Sequence, residues 1–146
     1  MSDLFSSDTA DLAEDARRLL LELDREVPGV AAVTAECRPA VDVIETARAV
    51  EVVVDVPGVP ADSIRIALRR STLLVVGAKM AAPIDPTARF HLAERSYGRF
   101  ARAVRVSGAF DGSRATATSG SGQLRVVLPR LEDRRGRVIM IPVTRA

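Results

Sequence analysis

The stretch Val50-Glu51-Val52-Val53-Val54-Asp55-Val56-Pro57-Gly58 sets Val50, Val52, Val54 and Val56 at every second position, with Glu51 and Asp55 between them. A period of two sends alternate side chains to opposite faces of an extended chain. The pattern therefore predicts a half-buried β-strand closed by a Pro-Gly turn. The same period extends outward in both directions. Upstream, Val41 and Val43 repeat it. Downstream, Ile64, Ile66 and Leu68 alternate with Arg65 and Arg69, Arg70-Ser71 turns the chain, and an apolar run from Leu73 to Val76 ends in Gly77. After a loop with Pro83 and Pro86, residues 89–94 are a candidate extended stretch, and Phe100, Val104 and Val106 carry the next strand beyond a Tyr97-Gly98 turn. Residues 116–118 and then Leu124, Val126 and Leu128 supply a last pair, ended by Pro129. Roughly seven or eight short strands without helical crossovers predict an all-β chain, an immunoglobulin-like antiparallel β-sandwich.

The period changes at the N-terminal end. Over residues 8–26, Leu12, Ala16, Leu19, Leu20, Leu23 and Val27 recur at spacings of three and four, which predicts an amphipathic helix; Pro28-Gly29 stop it. Its polar face is acidic: residues 1–30 hold eight acids against three arginines, in a chain whose net charge is +2. The remainder is correspondingly basic, so the two parts attract each other. At the other end, a charged stretch over residues 130–137 gives way to Val138-Ile139-Met140-Ile141-Pro142-Val143, an apolar patch that needs a partner to cover it. The expected organisation is an arm over residues 1–37, a sandwich over 38–130 and an extension over 131–146.

Composition narrows the chemistry. The 146 residues suit one core, and no apolar run is long enough to cross a bilayer. No signal or transit segment is visible at the N-terminus, so a cytoplasmic address is expected. Cys37 is the single cysteine and His91 the single histidine, which leaves no internal disulfide and no Cys/His zinc cluster. His91 has no nucleophile or carboxylate pattern beside it, and no catalytic residue, metal or cofactor is expected. Gly120-Ser121-Gly122 is too short for a phosphate loop and reads as a hairpin turn. Arg134, Arg135 and Arg137 lack accompanying aromatics and a following helix, so they read as a solubilising linker and not as a nucleic-acid contact. The acidic helix face would be repelled by anionic lipid, so no membrane partner is expected.

Read together, these pieces resemble the α-crystallin domain of the small heat-shock proteins in its bacterial and plant form. The resemblance is carried, in order, by Pro39-x-x-Asp42-x-x-Glu45, Val54-Asp55-Val56-Pro57-Gly58-Val59, Leu74-Val75-Val76-Gly77-x-Lys79, Glu94-Arg95-x-Tyr97-Gly98-x-Phe100-x-Arg102, Ala117, Gly122-x-Leu124-x-Val126-x-Leu128-Pro129 and Ile141-Pro142-Val143. It implies a sandwich that dimerises by lending a strand. Phe90, His91, Leu92 and Glu94 would pair with the partner's edge at Val41 and Val43, beside Tyr97 and Arg102, with an ion pair between Glu94 and Arg102. It implies further that the C-terminal tail docks into an edge groove formed by Ile64, Ile66, Leu68, Ala117 and Val126. Two overlapping pairs could serve as knobs, Ile139 with Ile141 or Ile141 with Val143. The second is preferred because Pro142 holds it extended. The N-terminal arm, through Leu12, Leu19, Leu20 and Leu23, would contact clients and other subunits. Among departures, the arm is short and acidic, and Ala115 and Ser119 stand where larger apolar groups are common.

The function implied is that of an ATP-independent holdase that binds partly unfolded proteins, is no enzyme, and works as a homodimer assembling into a larger homo-oligomer. The alternative is a co-chaperone-like adaptor, a monomeric sandwich docking to one folded partner. Such an adaptor has no use for an exchange strand or an Ile-Pro-Val tail, and a monomer in solution would favour it.

Overall fold

The structure is a computed structural model that describes residues 2–131 and 141–143, with side chains from residue 9 onward. Helix α1 spans Ser2–Glu26 and is followed by seven strands: β1 (Val41–Glu45), β2 (Ala49–Asp55), β3 (Ile64–Arg69), β4 (Thr72–Lys79), β5 (Gly98–Arg105), β6 (Thr116–Gly120) and β7 (Gln123–Pro129). They form two antiparallel sheets, one ordered β1-β2-β7-β6 and the other β3-β4-β5. The expected all-β antiparallel sandwich is the observed one.

Period two in the sequence becomes a shared face in register. Val50, Val52 and Val54 of β2 lie opposite Leu128, Val126 and Leu124 of β7. All six are buried against Ile64, Leu73, Val75, Phe100 and Val104 from the second sheet and Val106 just beyond it. Tight connections set the pairing. In the β6–β7 hairpin, Ser121 and Gly122 both have positive φ, the two-residue turn whose twist matches that of the strands it joins. At Gly77 the constraint is space: a Cβ there would overlap the Phe100 ring and come within 2.8 Å of the Ser63 carbonyl oxygen. Glycine lets β4 and β5 close over the core.

In two places the structure adds detail to the sequence reading. The first is α1, which spans Ser2–Glu26 and so extends beyond residues 8–26. It lies on the outer face of the three-stranded sheet, where Leu23, Val27 and Val30 are buried with Leu74, Val76 and Ala78. Strand β4 is consequently covered on both sides, and every residue from Leu73 to Ala78 is buried. Its unbroken apolar run is what such a strand requires, since neither face meets water. The second is the candidate extended stretch over residues 89–94, which lies in none of the seven strands of the single chain. A strand needs a neighbour to complete its ladder.

Candidate functional site

Where the two sheets fail to close on each other, the sandwich has open sides. On one side the edges are β3 and β6, which share no hydrogen bonds. Strand β6 reads Thr-Ala-Thr-Ser-Gly, side chains too short to seal the gap, and a groove of about 410 Å³ remains. Ile66, Leu68, Ala117 and Val126 line it, together with Leu73, Ala115 and Leu128. Ile64 does not line it. As the first residue of β3 it lies opposite Gly77 and is buried in the sandwich core. The reading by strand missed Leu73 and Leu128, which belong to central strands and reach the groove only because the edge beside them is short-sided.

On the opposite side the edge is β1. Among the described residues its one ladder is with β2 and its outer edge is unpaired; Val43 and Ile44 are exposed while Val41 is half-buried. The segment that family resemblance pairs with such an edge is itself uncovered: Phe90 is 71 % and Leu92 74 % exposed, and His91 and Glu94 are exposed. Tyr97 is half-buried, with the Arg95 guanidinium 5.2 Å and the Lys79 ammonium 5.8 Å from its ring centre. Arg102 donates to the Pro39 carbonyl at 2.7 Å. Among the described residues no ion pair joins it to Glu94. The Arg102 side chain therefore ties β5 to the segment entering β1. One step earlier, residues 35–37 also run along β5: Cys37 N–H donates to the Arg99 carbonyl at 2.9 Å, and Arg99 N–H to the Ala35 carbonyl at 2.8 Å.

The acidic helix meets the basic sheet through defined pairs. Arg69 holds Asp15 at 2.6 Å, Arg65 holds Glu26 at 2.5 Å and Arg99 holds Asp24 at 2.6 Å, while Arg18 adds a 2.7 Å contact to Asp15. The hydrogen bond from Arg69, with the charges of Arg69 and Arg18 beside it, keeps the Asp15 carboxyl below its ordinary value of 3.8. Of the four helix residues expected to meet clients, Leu23 is fully buried and Leu12, Leu19 and Leu20 are half-buried, all in this single chain. The C-terminal knobs have no such cover: Ile141 is 80 % and Val143 96 % exposed, and Pro142 between them is exposed. Ile139 lies outside the described residues.

His91 sits on an exposed loop. Burial pushes the Cys37 thiol up, away from the thiolate form, and its sulfur donates to the Gly98 carbonyl at 3.4 Å. Among the described residues no group of three His, Cys, Asp or Glu side chains could hold a metal ion, and no helix is long and apolar enough to cross a membrane.

Comparison with known proteins gives one answer throughout. The chain is 31 % identical over 101 residues to the 18.9 kDa heat shock protein of Oryza sativa subsp. japonica, a match covering 68 % of this chain and 57 % of that one. It likewise spans only 63 % of the length of the small heat shock protein C4 of Rickettsia felis. Among solved structures, heat shock protein 16.0 from Schizosaccharomyces pombe superposes with a TM-score of 0.64 at 25 % identity, over 75 % of this chain and 100 % of that one. A small heat-shock protein from Xylella fastidiosa, described as having a distinct high order structure, gives 0.63 at 25 % identity with the same coverage. A family model described as Hsp20/alpha crystallin family matches residues 42–144. On these matches and on the sandwich they share, the chain belongs to the Hsp20/alpha crystallin family.

Proposed function

We propose that this chain is an ATP-independent holdase: it binds proteins as they begin to unfold and keeps them from aggregating by mass action, with no chemical step. One observation carries the reading. The large apolar side chains that the fold leaves most exposed, Phe90, Leu92, Ile141 and Val143, lie on segments outside both sheets, and two open sides of the sandwich stand ready to receive such segments. Exposed apolar chain beside unpaired strand edge is a surface for association. On this reading residues 89–94 pair with β1 of a second copy to make a homodimer. Ile141 and Val143 seat in the β3–β6 groove of a neighbouring dimer and build the larger homo-oligomer. The division into an arm over 1–37, a sandwich over 38–130 and an extension over 131–146 is part of the same proposal, as is action in the cytoplasm.

The test is light scattering of a heat-labile client at near-stoichiometric ratio, without nucleotide. Aggregation should be suppressed. Scattering at the control rate, or suppression that appears only with ATP, would refute the proposal.

A further inference from the structure

The outer face of the β3-β4-β5 sheet is shaped to receive a helix. Register sets Leu74, Val76 and Ala78 of β4 in a row along its middle. Three of the residues opposite them are alanines: Ala67 faces Leu74 from β3, while Ala103 and Ala101 face Leu74 and Val76 from β5; the other two are arginines, Arg65 opposite Val76 and Arg99 opposite Ala78. Alanines on both flanks let a helix backbone come close enough for its apolar stripe to touch the central row. The rim is cationic, with Arg65 and Arg69 on β3 and Arg99 and Arg105 on β5.

Helix α1 shows which ligand this trough selects. At about 100° per residue, its stripe of Ala16, Leu19, Leu20 and Leu23 has Asp15 and Glu26 along one border, within about 20° of each other, and Asp24 on the other, about 180° from Asp15. Those borders meet the matching arginines, Arg69 and Arg65 on one side and Arg99 on the other. The fit is incomplete on the β5 side. Ala101 and Ala103 remain exposed, and a cavity of about 480 Å³ lies between them and Leu20. A second ligand has a foothold there before α1 moves. The Arg69 and Glu26 side chains are also well exposed, so salt screens two of the three anchoring pairs.

Building on the holdase reading, we propose that this face is a client-binding surface masked by α1, and that its client ligand is an amphipathic helical segment bearing carboxylates on both sides of an apolar stripe. The chain's own helix is the resident competitor, and exchange follows its release.

The test uses the full chain and a labelled synthetic peptide of residues 8–27, alongside the same peptide with Asp11, Asp15, Asp24 and Glu26 replaced by Lys. Two variants loosen α1 without touching the sandwich: Leu23→Asp, and the combination of Asp15→Asn, Asp24→Asn and Glu26→Gln. Hydrogen exchange reports the release, and circular dichroism the intact sheets. Both variants should bind the acidic peptide at least tenfold more tightly than wild type and leave the Lys peptide unbound, and adding Arg65→Glu with Arg99→Glu should abolish binding. Equal binding of both peptides, or none despite a released α1, overturns the proposal. So does a released chain that only gains mass, because the face then belongs to the helix of a second copy. Client aggregation is measured separately. Suppression without peptide binding removes this surface and leaves the holdase reading; peptide binding without suppression does the reverse.

Discussion

Replacing Leu23 by Ala probes the junction between helix and sandwich at its most buried point. Leu23 is fully buried, packed with Val27, Val30, Leu74, Val76 and Ala78. The substitution removes three carbons, about 2.4 kcal/mol of transfer free energy at about 0.8 kcal/mol each. A residual cavity adds to this, and comparable core substitutions cost about 2.7–5 kcal/mol. A helix resting on one face of a sheet can settle into the gap, which places the expected loss in the lower part, about 2.5–3.5 kcal/mol. If α1 opens as a local unit, its opening equilibrium shifts about 60- to 300-fold. Native-state hydrogen exchange read by mass spectrometry resolves this. Amides of α1 should lose that much protection, while those of β7, buried in the other sheet, lose far less. Leu21→Ala, on the exposed side of the same helix, should change little. Unchanged α1 protection in Leu23→Ala would show that the helix is not docked. An equal loss in β7 would show that helix and sandwich open only together, and the local argument would fail.

Other consequences are equally open to measurement. Asp15 is held below 3.8 chiefly by Arg69, with Arg18 and Asp11 nearby; a depressed folded pKa gives stabilisation that is complete above the unfolded value and is lost as pH falls through the folded one. The wild-type urea midpoint should therefore be insensitive to this group near neutrality and fall in acid below 3.8, and Asp15→Asn should flatten the fall; parallel profiles would refute it. Ile141→Ala with Val143→Ala removes roughly 1.5–3 kcal/mol of burial per side chain before ordering costs, and native mass spectrometry should show dimers with strand content intact. Retention of the full assembly would assign the link to other contacts. Gly77→Ala forces a Cβ against Phe100 and the Ser63 carbonyl and should cost at least about 1–3 kcal/mol by thermal denaturation; a neutral result would mean that β4 and β5 pair in another register.

Strands β2, β5 and β7 were legible because each has one buried face and therefore alternates; Val50 to Val56 is the clearest instance. The exception, β4, carried its own signal. A run from Leu73 to Ala78 without alternation means cover on both faces, and the cover was the acidic helix already visible upstream. What concealed the docking was that its receptor is scattered. Ala67, Ala101 and Ala103 sit on two strands, and only the register brings them to either side of Leu74 and Val76. Groove membership was partly legible for a similar reason. Alternation shows that Ile64, Ile66 and Leu68 share a face, but whether a given one meets the core or the open edge depends on where β6 ends, a property of another segment. The Arg102 contact with Pro39 was beyond reach, since the acceptor is a backbone carbonyl distant in the chain and leaves no mark in residue type.

A strand with no solvent face has no position at which to carry a charge. From Leu73 to Ala78 the chain is uncharged, apolar and free of proline, the composition that stacks into cross-β when left bare. Apart from Lys79 at its end, no side chain on its own strand can guard it, so most of the guard has to come from elsewhere in the chain. Because synthesis runs from the N-terminus, α1 and its carboxylates leave the ribosome well before β4 does. A permuted chain that placed the helix last would keep every contact of the finished fold and yet leave this segment bare while it was being made.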